Sequence, residues 1–206
     1  GRPAVHTTSR VPAHNPLMDK DLIRRLPKTD LHVHLDGSLR LGTLVELARD
    51  RKVSLPSETP EGLEALVFRP RYANLAEYLE GFQYTVAVLQ DEEALERTAF
   101  ELAEDCQQEG VRYLEVRFAP QLHVRPGFDV SGVVRAVDRG LRRAAAAFNA
   151  RSEVASGAEP PFAAGIILCA MRSFTPEFSL GFRRFFEALP EAPETEIQAA
   201  ASLEVA

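Results

Sequence analysis

Apolar positions along the chain recur with two spacings, two residues in some stretches and three to four in others, and the switches between them mark out strands and helices. Pro27-Lys28 opens an extended run to Leu35. Leu31, Val33 and Leu35 take one face, His32 and His34 the other, with Asp36 just beyond and Gly37 allowing a sharp exit. Leu44, Val45, Leu47 and Ala48 recur at helical spacing within 41–51, and Ser54 to Pro60 breaks that pattern. A short helical piece covers 61–67. Asn74 can cap a longer helix to about Leu89, along which Leu75, Tyr78, Leu79, Phe82 and Val86 lie three and four apart. Asp91 caps the next helix, Gly110 takes the left-handed position at its end, and a strand follows over 111–118. On that strand Arg112, Leu114, Val116 and Phe118 share one face, and Val111, Tyr113, Glu115 and Arg117 the other. Asp129 opens a helix to about Phe148, and a polar linker spans 151–161. Phe162 to Ala170 is then the near-continuous apolar run of a strand buried on both faces. Thr175-Pro176-Glu177 predicts a helix start, with its end near Leu189, and Glu194 to Ala206 is helical in pattern to the last residue, with no C-cap.

Strands near residues 30, 113 and 165, separated by helices, predict an α/β fold with a parallel sheet. Two architectures fit this order, a doubly wound sheet and the opening of a (β/α)8 barrel, and both place functional residues at the C-terminal ends of strands. Residues 1–17 are polar, proline-punctuated and aperiodic, the signature of a flexible arm without the apolar core of a secretory signal. Residues 18–206 form the folded part, with Met18 a natural beginning. A hydrophobic content of 45% supports a real core, and a net charge of -6 gives no electrostatic reason to bind nucleic acid or an anionic membrane. No stretch approaches the roughly 18 apolar residues of a membrane span. A small-molecule partner fits better. Cys106 and Cys169 read as free thiols of a reducing, cytoplasmic compartment.

Chemistry concentrates at His32-Val33-His34-Leu35-Asp36. Two histidines at this spacing can be no more than a polar edge. Apolar flanks suggest a buried strand, however, where paired neutral imidazoles need partners, and a divalent cation supplies one. Imidazole suits zinc, and a catalytic zinc takes three protein ligands plus water, so His32 and His34 form part of a site. Glu115 and Arg117 inside a strand also need partners, and an ion-pair network within a barrel is the simplest provision. His123, in the loop after that strand, stands where it could approach a site. There is no glycine-rich phosphate loop, zinc ribbon or nucleophile elbow.

Residues 26–39 closely resemble the opening strand of the adenosine deaminase family of zinc aminohydrolases. Gly110 to Pro120 resembles that family's second strand, and Ile167-Leu168-Cys169-Ala170-Met171-Arg172 its third. The resemblance runs from about Leu22 to the end. It implies a (β/α)8 TIM-type barrel, of which this chain supplies about the first three βα units. A complete barrel needs about 250 residues, so the expectation is the N-terminal part of a longer enzyme, partnered by the C-terminal barrel half in the same or another chain. It further implies one Zn2+ per complete active site, with His32 and His34 as metal ligands. The third histidine, the catalytic acid and the base belong to later strands, so the acid and base are expected beyond Ala206 and none within these residues. Substrate-binding positions carried over from the family are His34, Asp36, Tyr78, Leu79, Phe82 and Met171. Tyr78, Leu79 and Phe82 would form a hydrophobic gate, though an apolar helix face seated on the core explains them as simply; Met171 could equally fill a gap in the core. Arg172 would join an ionic network beneath the site. The implied reaction is hydrolytic deamination of adenosine and 2′-deoxyadenosine to inosine and 2′-deoxyinosine plus ammonia, in purine salvage. The alternatives are a truncated or split non-catalytic fragment or subunit, and a relative acting on adenine or a modified adenine nucleotide.

Overall fold

Three parallel strands, β1 (Lys28–His34), β2 (Val111–Phe118) and β3 (Ala163–Leu168), lie side by side in chain order. The computed structural model describes residues 19–206; the arm expected over residues 1–17 lies outside the described residues. Parallel neighbours require long crossovers. Between β1 and β2 the chain forms α2 (Leu41–Arg51), α3 (Pro60–Leu66), α4 (Leu75–Leu79), α5 (Phe82–Val88) and α6 (Glu92–Gln108). Between β2 and β3 it forms a 3-10 turn (Pro120–Leu122), α7 (Val130–Asn149) and α8 (Ser152–Ala155). A short helix α1 (Lys20–Arg25), capped by Asp19, precedes the sheet, and α9 (Leu180–Ala188) and α10 (Glu194–Leu203) follow it.

The core lies between the sheet and α2, α6 and α7. Leu114, Val116 and Phe118 of β2 meet Leu35, Leu44, Leu95, Leu102 and Val137 there, all buried. Polar ends are handled as the sequence predicts. Asn74, Asp91 and Asp129 accept from the backbone N–H groups of Glu77, Ala94 and Gly132 at 3.0, 2.9 and 2.8 Å, and Gly110 takes a φ of 87°. Arg40 grips both carboxylate oxygens of Asp105, with Nη2 to Oδ1 at 2.6 Å, which ties the start of α2 to α6.

Close approach of α6 and α7 depends on Gly140. A Cβ at that position would stand 2.3 Å from the Glu96 carbonyl oxygen and 3.0 Å from the Phe100 nitrogen, both backbone atoms that cannot swing aside. Gly140→Ala is therefore expected to destabilise the fold by about 3 kcal/mol through overpacking, read as a fall in the urea midpoint at unchanged slope.

Several expectations need correction. The helix expected from Asn74 to Leu89 is two, because its hydrogen-bond ladder lapses at Glu80-Gly81, where the Phe68 ring packs on Gly81. Helix α9 begins at Leu180 and not at Thr175. The Ser179 hydroxyl caps Phe182 N–H and also donates to the Gln121 carbonyl at 2.6 Å, while Thr175 to Phe178 forms a turn. The 151–161 linker contains α8. The helical pattern expected to run through Ala206 stops earlier: α10 closes at Leu203, Val205 N–H turns back to the Ser202 carbonyl at 3.3 Å, and Ala206 is exposed and non-helical. Strand β3 is half-buried and not covered on both faces, and among the described residues only β2 pairs with it, which leaves its other edge open as well. Cys106 and Cys169 are free thiols, and burial pushes the Cys106 thiol up to about 12. No helix among the described residues is long and apolar enough to cross a membrane.

Candidate metal and purine site

A bulge in β1 sets the orientation of its histidines. Asp30 pairs with Leu114 and Val33 with Val116, so β1 spends one residue more than β2 over the same interval. Simple alternation fails at that point: Leu31, expected beside Val33, turns outward and is 53% exposed. The bulge is held at both sides. Asp30 Oδ1 accepts from His32 N–H at 3.1 Å, and Arg117 Nη2 donates to the Leu31 carbonyl at 3.1 Å. His32 and His34 are consequently exposed, not buried as the apolar flanks suggested, while Val33 and Leu35 face the core. The ion-pair network expected around Glu115 and Arg117 is absent among the described residues. Glu115 accepts from the Tyr113 hydroxyl at 3.0 Å, and Arg117 spends its guanidinium on the bulge. Arg172 is exposed and pairs with no carboxylate among the described residues, so it joins no network either.

The two imidazole rings stand together, with centroids 5.4 Å apart and planes tilted by 44°. Two histidines ligating one tetrahedral ion through nitrogens about 2 Å from it have ring centroids about 5 Å apart, so this spacing fits a shared cation. Asp36 follows immediately. It is only 5% exposed, its Oδ1 has no hydrogen-bond partner, and that atom lies 3.9 Å from His34 Nδ1. Burial raises its pKa and the neighbouring His34 opposes the rise. A buried carboxylate with a spare acceptor atom is set to take a hydrogen bond from a ligand. Among the described residues no three His, Cys, Asp or Glu side chains converge on one point, so the imidazole pair alone falls short of the three protein ligands a catalytic zinc takes.

Beside Asp36 opens a cleft of about 630 Å³ with largely apolar walls. Leu79, Phe82 and Met171, expected at the substrate, line it together with Asp36. Tyr78 does not; it packs edge-on against Phe82 with centroids 5.6 Å apart and supports that ring from outside. His34 reaches the cleft only through Asp36. Gly37 stands in the turn by which the chain leaves β1, closed by Ser38 N–H to the Leu35 carbonyl at 3.1 Å, as expected of a sharp exit, though without a left-handed backbone. What it provides is room, since a Cβ there would stand 3.3 Å from Phe82 Cζ.

Sequence reading missed the rest of the wall. Gln83, Ala87 and Gln90 extend the three-and-four spacing from Leu79, a signal that could have found them. Glu177, Phe178 and Ser179 arrive on the turn after β3, which no local pattern announces. His123 lines no cleft. It is fully buried behind the rim, with Nδ1 2.8 Å from the Leu89 carbonyl and Nε2 unpartnered, and burial pushes it down to about 4. Ala206, beyond which the acid and base are expected, lies away from the cleft wall and contributes nothing to it.

A parallel βα sheet with its chemistry-bearing side chains gathered at the C-terminal ends of the strands is the arrangement of an α/β-barrel enzyme. Residues 27–186 match the adenosine deaminase family, and the chain belongs to it. An adenosine deaminase of Shewanella halifaxensis is 44% identical over 61% of this chain and 38% of its own length. A probable adenosine deaminase of Dictyostelium discoideum is 41% identical over 77% of this chain and 19% of its own. The chain thus spans less than half the length of these relatives. Among solved structures, a zinc-bound amidohydrolase from Burkholderia ambifaria superposes with a TM-score of 0.61 at 22% identity, over 87% of this chain and 45% of that one. The N6-methyl-AMP deaminase of Arabidopsis thaliana gives 0.54 at 28% identity, over 82% and 48%. The sheet is accordingly an open segment of a (β/α)8 barrel.

Proposed function

We propose that the protein takes part in the zinc-dependent hydrolytic deamination of adenosine and 2′-deoxyadenosine, releasing ammonia, with the remaining barrel strands supplied in the same or another chain. The observation that carries this reading is the imidazole pair standing beside a buried carboxylate with a spare acceptor, at the edge of an apolar cleft. His32 and His34 would hold the cation, which when bound would supply the Lewis acidity that lets water act as a nucleophile at neutral pH. Leu79, Phe82 and Met171 give the purine apolar walls and exclude bulk water. Asp36 accepts from a sugar hydroxyl, which a free base lacks, and this favours nucleosides over adenine. Tyr78 backs Phe82 and keeps its ring against the cleft. The acid that protonates the ring and the base that handles the attacking water belong to the strands that complete the barrel, beyond Ala206. Free thiols at Cys106 and Cys169 support a reducing, cytoplasmic setting for this chemistry, in purine salvage.

The test is ammonia release by the full-length protein from adenosine, 2′-deoxyadenosine, adenine and AMP. Turnover is expected for the two nucleosides. Stoichiometric zinc with no turnover of any 6-amino purine defeats the reading, and turnover of adenine alone would move it to the free base.

A further inference from the structure

Resting on that reading, we propose that Glu177 sets the charge selectivity of the cleft: it turns away phosphorylated nucleosides and admits neutral ones. The cleft carries two carboxylates, and no Lys, Arg or His is among its lining residues. Its other polar groups, Gln83, Gln90 and Ser179, are neutral. Gln90 is already committed, its amide donating to the Val86 and Leu122 carbonyls at 2.7 and 3.0 Å. A phosphate brought against this wall of the cleft therefore meets the Glu177 carboxylate with no cationic side chain among the described lining residues to offset it; the cation proposed at His32 and His34 stands on the far side of Asp36. A sugar hydroxyl meets acceptors instead.

Glu177 stays ionised at neutral pH. A hydrogen bond from the Thr175 side chain, then one from its own backbone N–H, hold its carboxyl below the usual range. The charge of Arg183 on α9 favours the ionised form further. Arg183 Nε donates to the Pro176 carbonyl at 3.4 Å, and its side chain lines a neighbouring groove with Arg125 and Arg135, not this cleft. Because Glu177 is exposed on its turn, its replacement leaves the packing of Phe174 and Phe182 beneath it untouched. The same exposure makes its effect sensitive to salt, since the screening length is about 8 Å at physiological ionic strength.

The experiment is calorimetric binding of inosine and inosine 5′-monophosphate to the full-length protein, to Glu177→Gln and to Glu177→Lys. The natural protein is expected to prefer inosine. Glu177→Gln should narrow the preference by roughly tenfold and Glu177→Lys further, and raised salt should narrow it in the natural protein more than in Glu177→Gln. A preference that is the same in all three proteins, a monophosphate bound as tightly as inosine by the natural protein, or no binding of either ligand overturns the inference. Ammonia release from adenosine is measured alongside. Selectivity that depends on Glu177 in a protein that releases none upholds the inference and defeats the hydrolytic reading.

Discussion

Under the proposed hydrolytic function, full-length protein carrying His32→Ala or His34→Ala is expected to lose zinc binding and, with it, ammonia release from adenosine by a factor on the order of a thousand or more, since at neutral pH water needs a Lewis acid to become a competent nucleophile. Either change removes one of the two imidazoles whose rings stand 5.4 Å apart, and among the described residues no third metal-binding side chain converges with them to compensate. Stability should barely move. Both rings are exposed, and the hydrogen bonds that hold the bulge use the backbone at positions 31 and 32, which alanine retains. The measurement is metal content and turnover beside a melting curve. Variants that keep a full equivalent of zinc and full turnover would remove the imidazole pair from the chemistry. Variants that unfold would show instead that the histidines serve the strand.

Local chemistry explains which parts of this arrangement were legible in the sequence. Asn74, Asp91 and Asp129 cap the helices they announce, because a side-chain oxygen next to free backbone N–H groups is a signal confined to one turn. The strand boundaries at Val111 and Phe118 were equally plain from Gly110 and the alternation that follows it. Features settled between distant segments were not. The bulge in β1 exists because Asp30 and Val33 must both face the helices while β2 supplies one residue fewer, a mismatch visible only once the strands are paired. Ser179 prevails over Thr175 as a cap because its hydroxyl also reaches Gln121, 58 residues away in sequence. At the site, the pairing of His32 with His34 can be read in one dimension, whereas Asp36, Leu79, Phe82 and Met171 were expected there only from the family resemblance. Glu177 enters the cleft only because the turn after β3 folds back toward Phe82, and its sequence neighbours carry no trace of that.

Acid is expected to weaken the fold well before its carboxylates titrate, and His123 is the reason. In the folded protein its ring is fully buried, with one nitrogen committed to the Leu89 carbonyl and the other without a partner, so burial holds its pKa at about 4 against an ordinary value of 6.5. The unfolded chain therefore binds a proton across an interval in which the folded chain does not. Stability rises with pH wherever the unfolded state holds more protons, so the His123 contribution is fully present above about pH 6.5 and drains away as pH falls toward 4, by about 3 kcal/mol in all. Asp91 and Glu96, whose carboxyls are held low in the folded protein, lose their contributions only at lower pH; for Asp91 burial is the largest single influence and raises it, but the Arg51 guanidinium and the Ala94 N–H together outweigh it, and for Glu96 the Arg139 guanidinium leads. Asp36 acts with the opposite sign, since burial raises its pKa and protonation favours the folded form. Urea unfolding at pH 7.5, 6.0 and 5.0 separates these groups. The natural protein should lose stability increasingly as pH falls below about 6.5, and His123→Gln, which can keep a donor toward Leu89 but cannot take up a proton, should flatten that slope whatever its stability at pH 7.5. An unchanged slope in that variant would mean that the ring is protonated in the folded state. It would then need an acceptor at Nε2, such as a water or a group from the strands that complete the barrel.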